Sequence, residues 1–182
     1  MRNGLKVIIG LLVLLVVGNF LYKKTSLYYM IMPRLPFSMH LNKENLVLES
    51  GETDRLRVYA INKRVSYHTS DFKVAYVNLN GKVFAKKTGI AYITAKVGKK
   101  TFRCKVRVIA LSKKKLTMEE GESFQLRIYG DGLFHKARWS SDNTSIVSVS
   151  KNGKLVAKKK GRVNIIANIY GKKLVCRVKV IS

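Results

Sequence analysis

The sequence predicts an all-β protein in which two small two-sheet β-sandwiches follow one another behind a single transmembrane helix. Three observations lead to this fold class: an internal repeat, an alternation of apolar and polar residues within it, and an apolar run near the N-terminus. The repeat comes first, because a unit that recurs at a fixed offset defines what folds together. The alternation has the period of two that is typical of half-buried strands.

The repeat is clearest between residues 67–95 and 139–167. In each copy an Asn-Gly pair joins two apolar runs, Asn80-Gly81 in the first and Asn152-Gly153 in the second. We expect both residues of each pair to take the positive φ of a tight two-residue hairpin turn. Each copy then has a Lys-Lys-x-Gly turn, and turn signals at such short intervals favour a small sandwich of short strands.

Apolar residues alternate with polar ones on the strands predicted in both copies, and those expected to face the core are Ala91, Ile93, Ala95 and Val97, with Val163, Ile165, Ala167 and Ile169. Cys104 and Cys176 occupy equivalent places on the apolar side of the last strands. We therefore predict two buried core thiols, since cysteine packs as a small hydrophobe. Trp139, and Tyr67 in its place in the first copy, are predicted to be core anchors too.

Residues 1–24 form the predicted signal anchor. Val7–Leu21 is apolar except for Asn19, and basic residues stand on both sides of it. Its length is near the lower limit for crossing a bilayer and is also that of a signal peptide, so both interpretations stay open. The predicted domain organisation continues with a juxtamembrane stalk at residues 25–38, a first sandwich at 39–110 and a second at 111–182.

The chain is strongly basic, with 36 Lys and Arg against 10 Asp and Glu, a net charge of +26. Residues 38–110 carry 15 basic and 5 acidic residues, and residues 111–182 carry 16 and 5, so the charge belongs to both sandwiches. Such an excess favours contact with a polyanion. We expect no nucleic acid, because the chain is predicted to be exported and lacks the aromatic platform of single-strand binders.

Candidate polyanion-binding residues lie in two corresponding turns and in the last strand of each repeat. They are Lys86, Lys87, Lys99, Lys100, Arg103, Lys105, Arg107, Lys158, Lys159, Lys160, Lys172, Lys173, Arg177 and Lys179. The alternative is that these side chains only keep the surface solvated.

The motifs resemble the group 2 bacterial immunoglobulin-like domain. In the second repeat they are Gly121-Glu122, the Trp-Ser-Ser-x-Asn segment Trp139–Asn143, Val147–Val149, Asn152-Gly153, Ala157–Gly161 and Ile165–Ala167. The first repeat departs from the pattern, with Tyr-His-Thr-Ser-Asp at residues 67–71. The resemblance implies two tandem small immunoglobulin-like β-sandwiches outside the cytoplasm, which serve as spacers or adhesive modules on bacterial surfaces. It implies no catalytic residue.

The sequence therefore predicts a non-enzymatic adhesion, interaction or scaffold protein of the bacterial cell surface, held in the membrane by a single pass with its C-terminal domains extracytoplasmic. An alternative is a module that binds an anionic wall polymer or anionic lipid through its basic faces. A third interpretation is an accessory subunit of a cell-envelope enzyme. Candidate partners besides the membrane are an anionic wall polymer, a glycan and another surface protein.

We expect no catalytic residue, cofactor or metal. His40, His68 and His135 lie in no recognisable motif. The Gly130–Gly132 loop offers a single carboxylate, Asp131, where a calcium loop needs several oxygen ligands. The acidic residues of the two Gly-Glu turns are predicted to stabilise those turns.

Overall fold

The computed structural model describes residues 39–59, 64–130 and 137–182, together with Leu12. The predicted anchor and stalk lie outside these ranges, and so does the loop that contains Asp131 and His135. Over the described ranges, no helix has the length and apolar character needed to cross a membrane.

The first sandwich is built from short strands. They are β1 (His40–Leu41), β2 (Asn45–Glu49), β3 (Thr53–Arg55), β4 (Val58–Tyr59), β5 (Ser66–Thr69), β6 (Ala75–Val77), β7 (Lys82–Ala85), β8 (Gly89–Val97) and β9 (Lys100–Leu111). One sheet has the order β2-β9-β8-β5 and the other the order β3-β7-β6, while β1 pairs with β4. The pairing of β2 with β9 is parallel and the other pairings are antiparallel.

The second sandwich repeats this topology. Its strands are β10 (Lys115–Glu119), β11 (Ser123–Gln125), β12 (Ile128–Tyr129), β13 (Arg138–Ser141), β14 (Val147–Val149), β15 (Lys154–Ala157), β16 (Gly161–Ile169) and β17 (Lys172–Ile181). The two sheets are β10-β17-β16-β13 and β11-β15-β14, and β10 again runs parallel to β17. The predicted all-β fold with two tandem sandwiches is confirmed for the described part of the chain.

Strand β9 belongs to both sandwiches. Residues 100–108 pair with β8 in the first sandwich, whereas Ala110 and Leu111 pair with β12 of the second. The equivalent of these two residues in the first repeat is the separate strand β1. Ile109 and Leu111 are buried in the core of the second sandwich. The predicted boundary between residues 110 and 111 thus falls inside a continuous strand, and no loop separates the two cores.

The predicted alternation is confirmed in β8 and β16. Ala91, Ile93 and Ala95 are fully buried, and their counterparts Ile165 and Ala167 are fully buried too. The intervening residues lie on the other face of the sheet, where they are exposed or half-buried. Each sandwich therefore has one core between its two sheets, and the polar residues of β8 and β16 lie on the outer face of their sheet.

The Asn-Gly turns differ from the prediction. Gly81 and Gly153 have positive φ values of 74° and 82°, but the preceding asparagines do not have positive φ. The Gly81 N–H donates to the carbonyl oxygen of Asn78 at 3.0 Å, which closes a four-residue turn that ends at the glycine. The loop is therefore a turn with a glycine bulge, not a two-residue turn with two left-handed residues. The side-chain oxygen of Asn78 accepts hydrogen bonds from the Asn80 and Lys82 N–H groups, and these bonds stabilise the longer loop.

Candidate binding surfaces

The glutamates of the two Gly-Glu turns accept hydrogen bonds from backbone N–H groups of the same turn. The Glu52 side chain accepts a hydrogen bond from the Glu49 N–H at 2.8 Å, and Glu122 does the same for the Glu119 N–H at 2.8 Å. These two bonds satisfy backbone donors at the start of a turn. The predicted turn-stabilising role of the glutamates is confirmed.

The two thiols lie in different cores. Cys104 and Cys176 are both fully buried and unpaired, Cys104 in the core of the first sandwich and Cys176 in that of the second. Burial raises the pKa of the Cys104 thiol to about 12 and that of Cys176 to about 11. Because the thiolate is the reactive form, neither side chain is a nucleophile in the folded protein at neutral pH.

Tyr67 and Trp139 occupy the same place in the two sandwiches. Tyr67 stands opposite Ala95 and Trp139 opposite Ala167, and both rings are half-buried against their cores. The Tyr67 hydroxyl donates to the carbonyl oxygen of Leu56 at 3.1 Å. Burial raises the pKa of Tyr67, so the phenol keeps the proton that it donates.

The junction between the sandwiches joins residues of opposite charge. The Lys172 ammonium lies 2.6 Å from a Glu52 carboxylate oxygen, and the Lys114 ammonium lies 2.8 Å from Glu49. Partial burial alone would raise the pKa of Glu52, but the hydrogen bonds from Lys172 and the Glu49 N–H, with the charges of Lys172 and Lys114, lower it below its usual value. Glu52 is therefore ionised at neutral pH and pairs with the second sandwich.

An aromatic contact adds to these ion pairs. The Arg107 guanidinium lies 4.3 Å from the ring centroid of Tyr170, which is in the turn between β16 and β17. Val47, on the outer face of β2, packs against the core of the second sandwich. The turn of the second sandwich thus rests on the sheet of the first.

Tyr170 has φ of 52° and is the one non-glycine residue with positive φ in the described part of the chain. Its counterpart in the first repeat is Gly98, at φ of 58°. A tyrosine in this conformation costs roughly 1–3 kcal/mol, which the surrounding contacts must offset. The Tyr170 ring packs against the core of the second sandwich and contacts Arg107, and a glycine can make neither contact.

Several of the predicted polyanion-binding residues have partners within the chain. Arg103 stacks on Tyr92, with its guanidinium carbon 3.8 Å from the ring centroid, and Lys86 lies 5.5 Å from the ring centroid of Tyr76. Arg107 and Lys172 take part in the junction. These four side chains make contacts within the protein as well as carrying charge. They are therefore less available to bind a polyanion than the other predicted residues.

The predicted turn clusters do not form one surface. Lys99 and Lys100 lie at the N-terminal end of β9. Since each strand residue adds about 3.3 Å, they are roughly 35 Å from the last residue of β9. Lys158, Lys159 and Lys160 lie at the far end of the second sandwich, where the Lys160 ammonium is 3.4 Å from the Ser182 hydroxyl. Lys172 and Lys173 begin β17 at the junction. Lys87 is exposed in the turn before β8, and Lys105 is half-buried on the outer face of β9.

The structure does bring four cations together on the outer face of the sheet β10-β17-β16-β13. Arg177 and Lys179 were predicted, whereas Lys115 and Arg162 were missed. Lys115 stands directly opposite Arg177, and Arg162 directly opposite Lys179. All four side chains are exposed. We call Lys115, Arg162, Arg177 and Lys179 the cationic block. Alternation places each of them on the polar side of its strand, but only the register of three strands puts them side by side.

A groove runs over the cationic block. Its volume is about 640 Å³, and its lining includes all four cations with Thr117 and Asn164. A second groove, of about 730 Å³, shares Lys115, Asn164 and Arg177 with the first and continues toward Lys173. The two grooves together follow the strands along the face.

The two histidines that the structure describes lie in the first sandwich, on different strands. The His40 ring stacks on Tyr59 with centroids 4.8 Å apart, and His68 lies on β5. Among the residues that the structure describes, no three His, Cys, Asp or Glu side chains are placed to hold a metal ion.

In each sandwich two sheets enclose one core, and an early strand, β2 or β10, runs parallel to the last strand. This arrangement is that of the immunoglobulin-like β-sandwiches. Within this class, the family described as "Bacterial Ig-like domain (group 2)" matches residues 38–108 and again residues 105–176. The chain belongs to this family, with two tandem copies. The resemblance noted in the sequence is thereby confirmed for both repeats.

Three solved structures are similar to this chain at low sequence identity. Domains 4 and 5 of the S-layer protein SbsC are 18% identical with a TM-score of 0.35, covering 80% of this chain and 98% of that one. A C-terminal fragment of intimin, solved with the intimin-binding domain of its translocated receptor, is 17% identical with a TM-score of 0.44. The match covers 78% of this chain and 62% of that one. Invasin, a bacterial integrin-binding protein, is 14% identical with a TM-score of 0.42. The match covers 80% of this chain and 38% of that one. No curated protein matches the chain.

Proposed function

We propose that this chain is a membrane-anchored, extracytoplasmic and non-enzymatic interaction module, built from two group 2 immunoglobulin-like domains. The observation that supports it best is the junction. A shared strand, two ion pairs and an Arg-Tyr contact join the two domains in the described part of the chain. Such a joint keeps the two domains at a fixed separation, which is what a spacer or scaffold needs.

The chemistry of the described side chains supports a non-enzymatic role. Nucleophilic catalysis needs an activated nucleophile beside a base. Cys104 and Cys176 are buried with raised pKa values, which is the opposite of activation. The glutamates of the Gly-Glu turns accept backbone hydrogen bonds, so they are structural groups.

The proposed location rests on the apolar run Val7–Leu21 and on the family. Labelling of single introduced cysteines on intact cells tests it, because the two native thiols are buried and do not react. We expect Lys151→Cys, in an exposed turn of the second sandwich, to be labelled by a membrane-impermeant maleimide. Asn3→Cys should be labelled only after permeabilisation. The reverse pattern contradicts the proposed orientation.

A second candidate function is binding of an anionic wall polymer or anionic lipid. The cationic block favours it, since none of its four side chains forms an ion pair within the described chain. A pull-down from native envelope at low and at high salt tests this function. Binding should weaken steeply as salt screens the charges, and a flat salt response contradicts it.

A further inference from the structure

The cationic block carries an electrostatic cost that no ion pair in the described part of the chain relieves. Like charges directly opposite each other on neighbouring strands destabilise a sheet. Here two such pairs lie side by side, Lys115 with Arg177 and Arg162 with Lys179. Side chains at directly opposite positions are about 4.5–5.5 Å apart at Cβ, and residues two apart on one strand are about 6–7 Å apart. Arg177 and Lys179 lie two residues apart on β17, with Lys115 beside Arg177 on one side and Arg162 beside Lys179 on the other. The four positive charges therefore form a compact zigzag across three strands of one sheet face.

The described carboxylates nearby offset only part of this positive charge. Asp142, at the edge of the face, accepts hydrogen bonds from the backbone N–H and the side-chain amide of Asn164, both at 2.8 Å. Glu119 lies at the end of β10, opposite Ile181, and not in the rows of the block. The ion pairs in the described chain instead use Lys43, Lys114 and Lys172. A bound anion would remove the repulsion.

The first sandwich lacks the same arrangement. At the places of Lys115 and Arg162 it has Asn45 and Ile90, which stand opposite Lys105 and Arg107. The Arg107 guanidinium contacts the Tyr170 ring of the second sandwich. The block is thus a property of one domain, while the framework around it is common to both.

The shape of the site favours a linear ligand. The two grooves share Lys115, Asn164 and Arg177 and follow the strands, with Ile166 and Val175 between the block and Lys173. From Lys173 to Lys179 the strand extends roughly 20 Å. A planar bilayer surface does not enter a groove, and the described outer face carries no aromatic side chain to stack on a base.

We propose that this face binds a linear phosphodiester polymer whose phosphates pair with Lys115, Arg162, Arg177 and Lys179. Two of the four are arginines, whose planar guanidinium groups form paired hydrogen bonds to phosphate oxygens. The uncharged links of the polymer pass over Asn164, Ile166 and Val175. This inference rests on the second candidate function above and assigns it to one face of one domain.

The test uses the full chain in phosphatidylcholine nanodiscs and poly(glycerol phosphate) as the probe, with affinity measured by calorimetry. We expect Arg162→Gln with Arg177→Gln to weaken binding at least about tenfold, because each exchange removes a charge-assisted contact. The matched control is Lys151→Gln with Lys154→Gln, which removes the same charge from exposed positions at the other sheet of the second sandwich. The control should change the affinity less than about twofold.

Folding and ligand source are checked separately. The Arg162→Gln, Arg177→Gln variant should unfold at a higher temperature than the native chain, since both like-charged pairs are gone. Equal loss in the two double variants, or no loss in either, overturns the site. Displacement of the polymer by phosphatidylglycerol vesicles at a lower phosphate concentration than the polymer needs assigns the face to lipid and also overturns it. Salt-sensitive envelope binding that survives in the block variant leaves the candidate function standing and rejects the site.

Discussion

Gly121 and Gly153 have the same backbone conformation in different surroundings. The φ value is +82° at both residues. A Cβ atom added at Gly121 would meet nothing within 4 Å, whereas one added at Gly153 would lie 2.6 Å from the Leu126 carbonyl oxygen and 2.9 Å from the Trp139 ring. The two positions therefore separate the cost of backbone strain from the cost of a steric clash.

We expect Gly121→Ala to lower the free energy of unfolding by about 1 kcal/mol, the strain of a left-handed alanine. Gly153→Ala should cost at least about 1–2 kcal/mol more, because the carbonyl and the ring must shift. Urea unfolding of both variants measures the difference. Equal destabilisation would show that the second sandwich yields freely around residue 153.

The aromatic residue over this glycine differs between the sandwiches, and so does its polar contact. Tyr67 donates to the Leu56 carbonyl oxygen, which lies close to Gly81 as the Leu126 oxygen lies close to Gly153. Trp139 fills the same place with a larger ring. The glycine and the ring are thus one packing unit, and the Trp-to-Tyr departure of the first repeat preserves it.

At the scale of the element, the β16–β17 hairpin makes contacts that its counterpart in the first repeat does not. Tyr170 replaces Gly98 and takes the same positive φ. The contact of Arg107 with Tyr170 contributes roughly 0.5–1 kcal/mol when solvent has access to it. The residue that the turn geometry favours has therefore been exchanged for one that reaches the neighbouring domain.

Two variants at this position separate strain from contact. Tyr170→Ala keeps the strained φ and loses the ring, and Tyr170→Gly loses both. We expect Tyr170→Gly to be more stable than Tyr170→Ala by about 1 kcal/mol, while both broaden the range of domain orientations. Chemical unfolding measures the first effect and small-angle X-ray scattering the second. Unchanged scattering in both would mean that the ring does not hold the junction.

At the scale of the whole molecule, the ion pairs of the junction make the relative orientation of the two sandwiches depend on pH. The pKa of Glu52 is lower in the folded protein than in the unfolded chain, where a glutamate has its ordinary value of about 4.3. Ionised Glu52 therefore contributes stability above that value, and the contribution is lost as the pH falls below it and through the lowered folded pKa. The junction should loosen at acid pH while each core persists.

Scattering between about pH 6 and pH 3 tests this expectation across the ordinary glutamate pKa. Glu52→Gln should show the loosened junction at every pH, since its amide carries no charge for Lys172. Glu122→Gln is the matched control, because Glu122 caps the equivalent turn and pairs with no lysine across the junction. If Glu122→Gln loosens the junction as much as Glu52→Gln does, the turn and not the ion pair holds the two domains.

Much of the fold was predictable from local pattern. The alternation in β8 and β16 identifies the buried faces because strand side chains point to opposite sides in turn. The repeat identifies two domains, and the Gly-Glu motif identifies its own turn because the bond from Glu52 to the Glu49 N–H spans three residues. The form of the Asn-Gly turns was not predictable, since it depends on hydrogen bonds that the side chains of Asn78 and Ser150 accept, two positions before each asparagine.

The sequence by itself determined an all-β chain of two basic repeats with buried thiols, because each of these follows from spacing or composition, and its motifs carried the resemblance to the group 2 family. Only the tertiary structure decided which cations stand together. Lys115 comes from β10, Arg162 from β16 and both Arg177 and Lys179 from β17, and the registers of β10 and β16 against β17 align them. The same holds for the junction, where Tyr170 meets Arg107 across 63 positions of sequence. Side chains so far apart along the chain become neighbours only through strand pairing, which local pattern does not encode.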